Sequence, residues 1–484
     1  MYNKYTRKKN KLSNTRRSNT RLSNTRLSNT RRSNTRRSNT RRSNTRRSNT
    51  RRSNTKKGGN VIAAGSYGCV FIPPLQCSPT DPRVNDKYIS KLMTEKYAKK
   101  EMVEIKNVKF IANKLSSKFP GIKKYFLVDD AFMCMPGKLS KTDLVNFSET
   151  CDVFSDKNIT DENINDDKNI EKLRVLQIIN GGKNLRDYLK TFKYLGESIE
   201  KIYTRIVEFN ILMIDLLKNA IIPLNSMNYN HFDLKTDNIL INTDIIPLSL
   251  KIIDWGLSSE NMGNTIPNAI RHGMFAFNTP YSIILFDETT QSRIKTAIQH
   301  LRVLHRNTPR DFQKSRSAMI DLITKELVDY TLLNNPGHFD YIEKYTINAN
   351  INSLVSCNKV IENYIRAVLN VYMDQTYTFD VLNFFNEIFS RNADIFGFLT
   401  VYIDFNTEIT ALSALPLQTH SKNTRSGKIA VEKYSKEKPF IDKFRKMQES
   451  VSKILYDYLI DSKYASQPID VNELIGRLGE LNTL

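Results

Sequence analysis

The segment Asn230-His231-Phe232-Asp233-Leu234-Lys235-Thr236-Asp237-Asn238-Ile239-Leu240-Ile241 gathers several reactive side chains in one short stretch. A carboxylate (Asp233), an ammonium two residues on (Lys235) and a carboxamide five residues on (Asn238) come first. A second carboxylate follows in Asp254-Trp255-Gly256, 21 residues after Asp233. Such groups can take up a hydroxyl proton, hold an anionic group in transfer and offer oxygens to a hard divalent cation. Phosphoryl transfer is the chemistry that needs all of them together.

These side chains need a frame. The apolar run Ile206–Leu217 reads as a helix ahead of them, and Leu250-Lys251-Ile252-Ile253 as the strand that ends at Asp254. Upstream, Val61 to Phe71 has apolar ends flanking Gly65, Ser66 and Gly68, followed by β-branched Val70. This predicts a hairpin whose turn could lie against phosphates, with glycine where a Cβ would obstruct the approach. Ala63 stands where G-x-G-x-x-G would have its first glycine. Tyr88 to Met93 reads as a short strand with Lys91 inside it. Lys99 to Leu115 carries apolar residues at helical spacing (Met102, Ile105, Val108, Ile111/Ala112, Leu115). Glu101 and Glu104 both lie on that helix. Glu101, four residues before Ile105 and seven before Val108, is the favoured partner for Lys91, with Glu104 left open.

The order H-x-D-x-K-x-x-N, then D-W-G, resembles the protein kinase superfamily, and the resemblance covers Val61 to Phe405 in pieces. Arg174–Leu189 looks like the strand, hinge and helix that grip an adenine, with Leu176 near the gatekeeper position and Ile178 beyond it. Ala393-Asp394-Ile395-Phe396-Gly397-Phe398 resembles the start of a central helix whose Asp braces the catalytic-loop backbone. Phe277-Asn278-Thr279-Pro280-Tyr281 resembles the substrate-facing end of an activation segment, but no A-P-E follows. The H-F-D-L-K-T-D-N wording, the Asn/Ile/Lys-rich composition and the long insertions are most similar to the serine/threonine kinases of Mimivirus-like giant viruses.

The resemblance implies a two-lobed α+β fold: a small sheet with one helix in 58–190, and a helical lobe in 191–484. Insertions fall at about 149–172, where an acidic, Asn-rich loop is expected, and about 283–390. The second is expected to hold helices near Ser317–Leu332 and Lys359–Met373. It further implies ATP and Mg²⁺, with Asp233 as proton acceptor and Asn238 and Asp254 on the metal. Lys91, braced by Glu101, would contact the α/β-phosphates and Lys235 the γ-phosphoryl group. Ala63, Gly65, Ser66, Gly68, Val70, Leu176 and Ile178 would complete the nucleotide site. Protein Ser/Thr hydroxyls would be the acceptors, Lys235 being the Ser/Thr pattern. Two departures bear on regulation and packing: Phe232 replaces the Arg that pairs with an activation-loop phosphate, and Trp255 replaces the Phe of D-F-G. A pseudokinase scaffold is the alternative within the same fold.

The 484 residues carry a net charge of +23, and its location matters more than its size. Residues 1–57 hold 21 of the 73 Lys and Arg and no Asp or Glu, which leaves 52 basic against 50 acidic groups in the rest. Lys11 to Thr55 is nine pentapeptides, KLSNT, RRSNT, RLSNT, RLSNT and five further RRSNT. A period of five fits neither helix nor strand, so a disordered polybasic tail is expected. Its charge suits sequence-blind binding of nucleic acid or another polyanion, a virion-associated role that is the alternative from a different class. Five cysteines without C-x-x-C spacing (Cys69, Cys77, Cys134, Cys151, Cys357) predict neither a disulfide scaffold nor a zinc site, but a reducing compartment. No apolar run nears the ~18 residues of a membrane span, and the charged opening MYNKYTRKKN predicts no secretory signal. A soluble intracellular protein is expected, in host cytoplasm, viral factory or virion if viral.

Overall fold

Alternating apolar residues along Gly68–Ile72, Tyr88–Thr94 and Leu173–Ile179 make half-buried strands, and in the computed structural model these are neighbours in a six-stranded sheet. The structure describes residues 60–484 apart from 66, 128–129, 194–195, 273–274, 306–311, 336, 339–340, 344–355, 375, 377 and 415–424. The repeat tail (1–57) and Ser66 therefore lie outside the described residues. The strands are β1 (Asn60–Gly65), β2 (Gly68–Ile72), β3 (Cys77–Ser78), β4 (Tyr88–Thr94), β5 (Phe132–Pro136) and β6 (Leu173–Ile179). All pairs are antiparallel, in the order β1-β2-β4-β6-β5-β3. At the sheet centre two buried polar side chains satisfy each other: Ser90 donates to Gln177 Oε1 at 2.8 Å and accepts from Leu75 N–H at 2.7 Å. Gln177 Nε2 donates to Leu75 O at 2.8 Å. The Pro-rich loop after β2 is thereby pinned to the sheet.

Helix α1 (Glu95–Ser116) begins four residues before the apolar periodicity does. Its start is held from outside the pattern: Glu95 N–H donates to Lys172 O, and Glu95 pairs with Arg174 at 2.8 Å and Lys99 at 2.6 Å. Ala98, Val108, Ala112 and Leu115 face the core.

The segment 149–172, expected as an acidic loop, lies between β5 and β6 and carries short helical turns of its own. These turns form at Phe147–Thr150, Asp152–Lys157 and Asp167–Ile170, and the segment buries Phe147, Phe154, Ile159 and Ile164 in one cluster with Phe71, Leu92, Leu173 and Val175 of the sheet and Leu75 of the loop after β2. These apolar residues are too irregularly spaced to register as a period. The polar residues between them close turns instead. Asn163 caps Thr160 N–H, and Asn165 bonds both Leu139 N–H and O.

The cysteine expectation is corrected. Cys69 is bonded to Cys151 and Cys77 to Cys134, with Cα–Cα distances of 5.8 and 5.7 Å, while Cys357 is a buried thiol. The partners are 82 and 57 residues apart, so no local spacing could announce them. One bond ties β2 to the folded insertion and the other ties β3 to β5.

The rest is a helical lobe, and 59% of the described residues are helical, a mixed α+β architecture with a small antiparallel sheet. Its main helices are α2 (Ile199–Leu216), α3 (Glu288–His305), α4 (Phe312–Asn334), α5 (Cys357–Tyr372), α6 (Ser390–Ser413), α7 (Arg425–Leu455) and α8 (Val471–Glu480). Ser198 and Ser356 cap α2 and α5 through their hydroxyls, starting each helix ahead of its first apolar residue in the periodic pattern. Helix α6 is buried nearly all round, the mark of a central helix, and α7 lays Ile441, Phe444, Met447 and Val451 into the same core. Among the described residues no helix is long and apolar enough to cross a membrane.

On the chain-entropy account, closing an 82-residue loop stabilises by about 4 kcal/mol. Peptide mapping of unreduced protein should recover both cross-links, and Cys151→Ser should lower the unfolding free energy by about 2–4 kcal/mol in non-reducing buffer. Equal stability of the two proteins would contradict the bond.

Candidate active site

The loop 231–238 is held from below by one buried carboxylate. Asp394, in the first turns of α6, accepts the N–H groups of His231 at 2.9 Å and Phe232 at 2.8 Å, and Asn230 Nδ2 at 3.4 Å. Burial pushes its carboxyl upward, and neighbouring His231 with these donors pulls it back. One turn later α6 presses on the loop backbone. A Cβ on Gly397 would stand 2.7 Å from Leu234 O and 3.1 Å from Asn278 O, so only glycine fits. Fixed this way, Phe232 adopts φ 61°, a left-handed conformation costly for a non-glycine residue.

His231 is fully buried and fixed at both nitrogens. Nδ1 accepts Asp233 N–H at 3.2 Å, so Nε2 carries the proton and donates to Ile253 O at 3.0 Å. Burial lowers its pKa, keeping the ring neutral despite the nearby Asp394 and Asp233 carboxylates. The ring stands edge-on to Trp255 at 4.6 Å. Ile253 N–H donates to Asn238 O at 3.0 Å. Residues 253–255 are thereby sewn to the loop, and Asp254 projects an exposed carboxylate beside it with φ 62°.

Both oxygens of Asp233 are fully engaged. Oδ1 accepts Lys235 Nζ at 2.9 Å and Asn278 Nδ2 at 2.8 Å; Oδ2 accepts Lys235 Nζ at 2.8 Å and Asn238 Nδ2 at 2.8 Å. Asn238 Nδ2 also donates to Asp233 O at 2.8 Å, which leaves the amide oxygen as the remaining acceptor. An Asn oxygen and the exposed Asp254 carboxylate are hard oxygen donors of the kind Mg²⁺ accepts, so the residues fit that ion. Asn278 was not among the expected site residues, although its segment Phe277–Tyr281 resembles the substrate-facing end of an activation segment; its bond to Asp233, 45 positions away, is new from the structure.

Lys91 of β4 pairs with Glu101, its Nζ lying 2.8 Å from Oε1 and 2.7 Å from Oε2, and both side chains are about one-quarter exposed or less. Glu104, the other candidate, turns instead toward residues 254–256. Its oxygens lie 3.8 and 3.9 Å from where a Gly256 Cβ would be, and it meets Lys100 at 3.7 Å. Burial raises its pKa, partly offset by Lys100. Leu176 is buried directly opposite Lys91 in the β4–β6 ladder, and Ile178 follows, partly exposed, two residues on.

Ala63 and Val70 pair across the β1–β2 hairpin, and Gly65 faces Gly68 at its closed end. Glycine at 68 has a cause other than the one expected. A Cβ there would collide with Leu92 O and approach Met93 Cγ to 2.7 Å, so β4 itself requires it. Among the described residues Gly65 has only Gly68 O nearby, at 3.9 Å. Beside the loop, Arg186 forks onto Asp237 at 2.7 and 2.8 Å, and Asp404 accepts Thr236 Oγ1 at 2.7 Å. This anchors the outer end of the loop to the lobe.

Where the kinase pattern has Arg, Phe232 is 2% exposed and its ring lies 6.4 Å from both Phe385 and Phe389. Phe389 in turn meets Phe286 edge-on at 4.6 Å. The position is part of an aromatic core. No protein-family model matches the chain, and no curated protein matches it.

An arginine at position 232 would have to bury its charge among these rings. Phe232→Arg should destabilise the fold by about 3 kcal/mol or more, and Phe232→Leu by only about 1 kcal/mol, measured by denaturant unfolding. An arginine variant as stable as the leucine one would contradict the core assignment.

Proposed function

We propose that the protein is an ATP-dependent serine/threonine protein kinase of the two-lobed kinase architecture, with the nucleotide between the sheet and the helical lobe. The observation that carries this reading is the convergence on Asp233. One carboxylate is oriented at both oxygens by Lys235, Asn238 and Asn278, while Asp254 stands on a segment bonded to the same loop.

In this reading Asp233 takes the proton of an incoming Ser or Thr hydroxyl at the acceptor site that Lys235 vacates when it turns to the phosphoryl group, while Asn238 and Asn278 keep the carboxylate aimed. Lys235 sits on that carboxylate and is placed to share its charge with the transferring phosphoryl group. Lys91, held by Glu101, grips the α/β-phosphates. Asn238 and Asp254 would hold Mg²⁺, whose chemistry is to neutralise charge on the triphosphate. Leu176 and Ile178 line the adenine side, with the hairpin from Ala63 to Val70 above the phosphates. Since Phe232 packs into an aromatic core, the loop needs no phosphate contact at that position. The 1–57 tail is proposed as a polyanion-binding appendage, separate from the chemistry.

Transfer of radiolabel from [γ-³²P]ATP to a generic basic protein tests this. Wild type should label it, Asp233→Ala should lose about 10²–10⁴-fold in turnover while still binding nucleotide, and deletion of 1–57 should leave the rate largely intact. Nucleotide binding without turnover would favour the scaffold reading. Wild-type labelling by Asp233→Ala would contradict the assignment.

A further inference from the structure

The β1–β2 hairpin has little to hold its tip. Every residue of β1 except Val61 is exposed, and among the described residues Gly65 has only Gly68 O nearby. Val61 packs against the core shared by the sheet and the 147–170 insertion, which anchors the base of the hairpin but not its turn. A turn of this kind samples many positions unless something outside the strand pair restrains it.

One contact does so. Tyr67, the described residue between Gly65 and Gly68, stacks on Tyr97 with ring centroids 4.5 Å apart and planes 27° from parallel. Tyr97 lies in the first turn of α1, one helical turn before Glu101, so the two project from neighbouring positions on one face. Three cations surround the stacked pair. Lys100 stands 5.9 Å from the Tyr67 ring, and Lys96 and Lys157 stand 6.0 and 5.7 Å from the Tyr97 ring. Lys157 belongs to the insertion, which is itself bonded to β2 through Cys69–Cys151. Offset rings and ring–cation contacts attract beyond simple burial, and they do so here at a half-exposed surface.

The geometry points to Tyr97 as a positioning residue: through its stack on Tyr67 it fixes the height of the glycine turn over the cleft. This rests on the nucleotide-binding reading above and adds to it. Helix α1 thus sets two parts of the phosphate site at once, the lysine through Glu101 and the turn through Tyr97. The insertion steadies both, by Lys157 over the ring and by the cystine into β2.

The full-length wild type, Tyr97→Ala and Tyr97→Phe distinguish the possibilities in two measurements. Amide hydrogen exchange without nucleotide reads the turn. Tyr97→Ala should exchange faster at Tyr67 and Gly68 while β6 and α6 stay as in wild type, and Tyr97→Phe should behave as wild type. Calorimetric titration with Mg²⁺ and the β,γ-imido analogue of ATP reads the consequence. Binding should weaken roughly threefold to tenfold in Tyr97→Ala and return in Tyr97→Phe. Unchanged binding by Tyr97→Ala overturns the proposal, as does exchange that quickens across the whole protein. Analogue binding absent from wild type, with turn exchange still dependent on Tyr97, supports the clamp and overturns the nucleotide reading instead.

Discussion

The buried carboxylate of Asp394 is the constraint on which the rest of the site depends. A charge in the core is tolerated only where donors surround it, and here most of the donors are backbone N–H groups of the very loop that must be shaped. The arrangement is reciprocal. The loop neutralises the carboxylate's need for partners, and the carboxylate holds Phe232 in a backbone conformation it would otherwise avoid. Gly397, one turn along α6, lacks the Cβ that would press into Leu234 and Asn278 and push helix and loop apart. From that fixed base Asp233, Lys235 and Asn238 project with little freedom left.

A second constraint links the loop to the sheet. Trp255 stands between the His231 ring at 4.6 Å and the Phe126 ring at 5.2 Å, in the same core that receives Val108 and Leu115 of α1. Helix α1 therefore belongs to both halves of the molecule. Its C-terminal half is packed into the helical lobe, and its N-terminal half carries Glu101 to Lys91. Moving α1 as a unit would disturb the ion pair and the D-W-G segment together, because no flexible joint separates them. The Phe232 cluster ties Phe286, Phe385 and Phe389 to this framework by packing alone.

Much of this was legible in the sequence, for identifiable reasons. The loop and D-W-G motifs are contiguous runs, so their resemblance to the kinase pattern could single out Asp233, Lys235, Asn238 and Asp254 as candidates. Lys91 and Glu101 followed from a strand and a helix with clear periods. Local signals failed where the physics is long-range. The cystines join residues 57 and 82 positions apart, Asn278 reaches Asp233 across 45, and the insertion buries four apolar residues with no period. Composition marked 149–172 as a loop between strands but gave no sign that its side chains close turns over a small core. Gly68 was singled out correctly as a close approach, but the approaching atoms belong to β4.

The central claim is that the loop is preformed, shaped by Asp394 and the Phe232 cluster without an activating phosphate. The most direct measurement is the time course of γ-phosphoryl transfer to a basic protein acceptor by the purified protein, first stripped of phosphate with a phosphatase. The account predicts label accumulating linearly from the first time point, at a rate that pre-incubation with Mg²⁺–ATP does not change. No transfer at all, or a lag that pre-incubation abolishes, would contradict it.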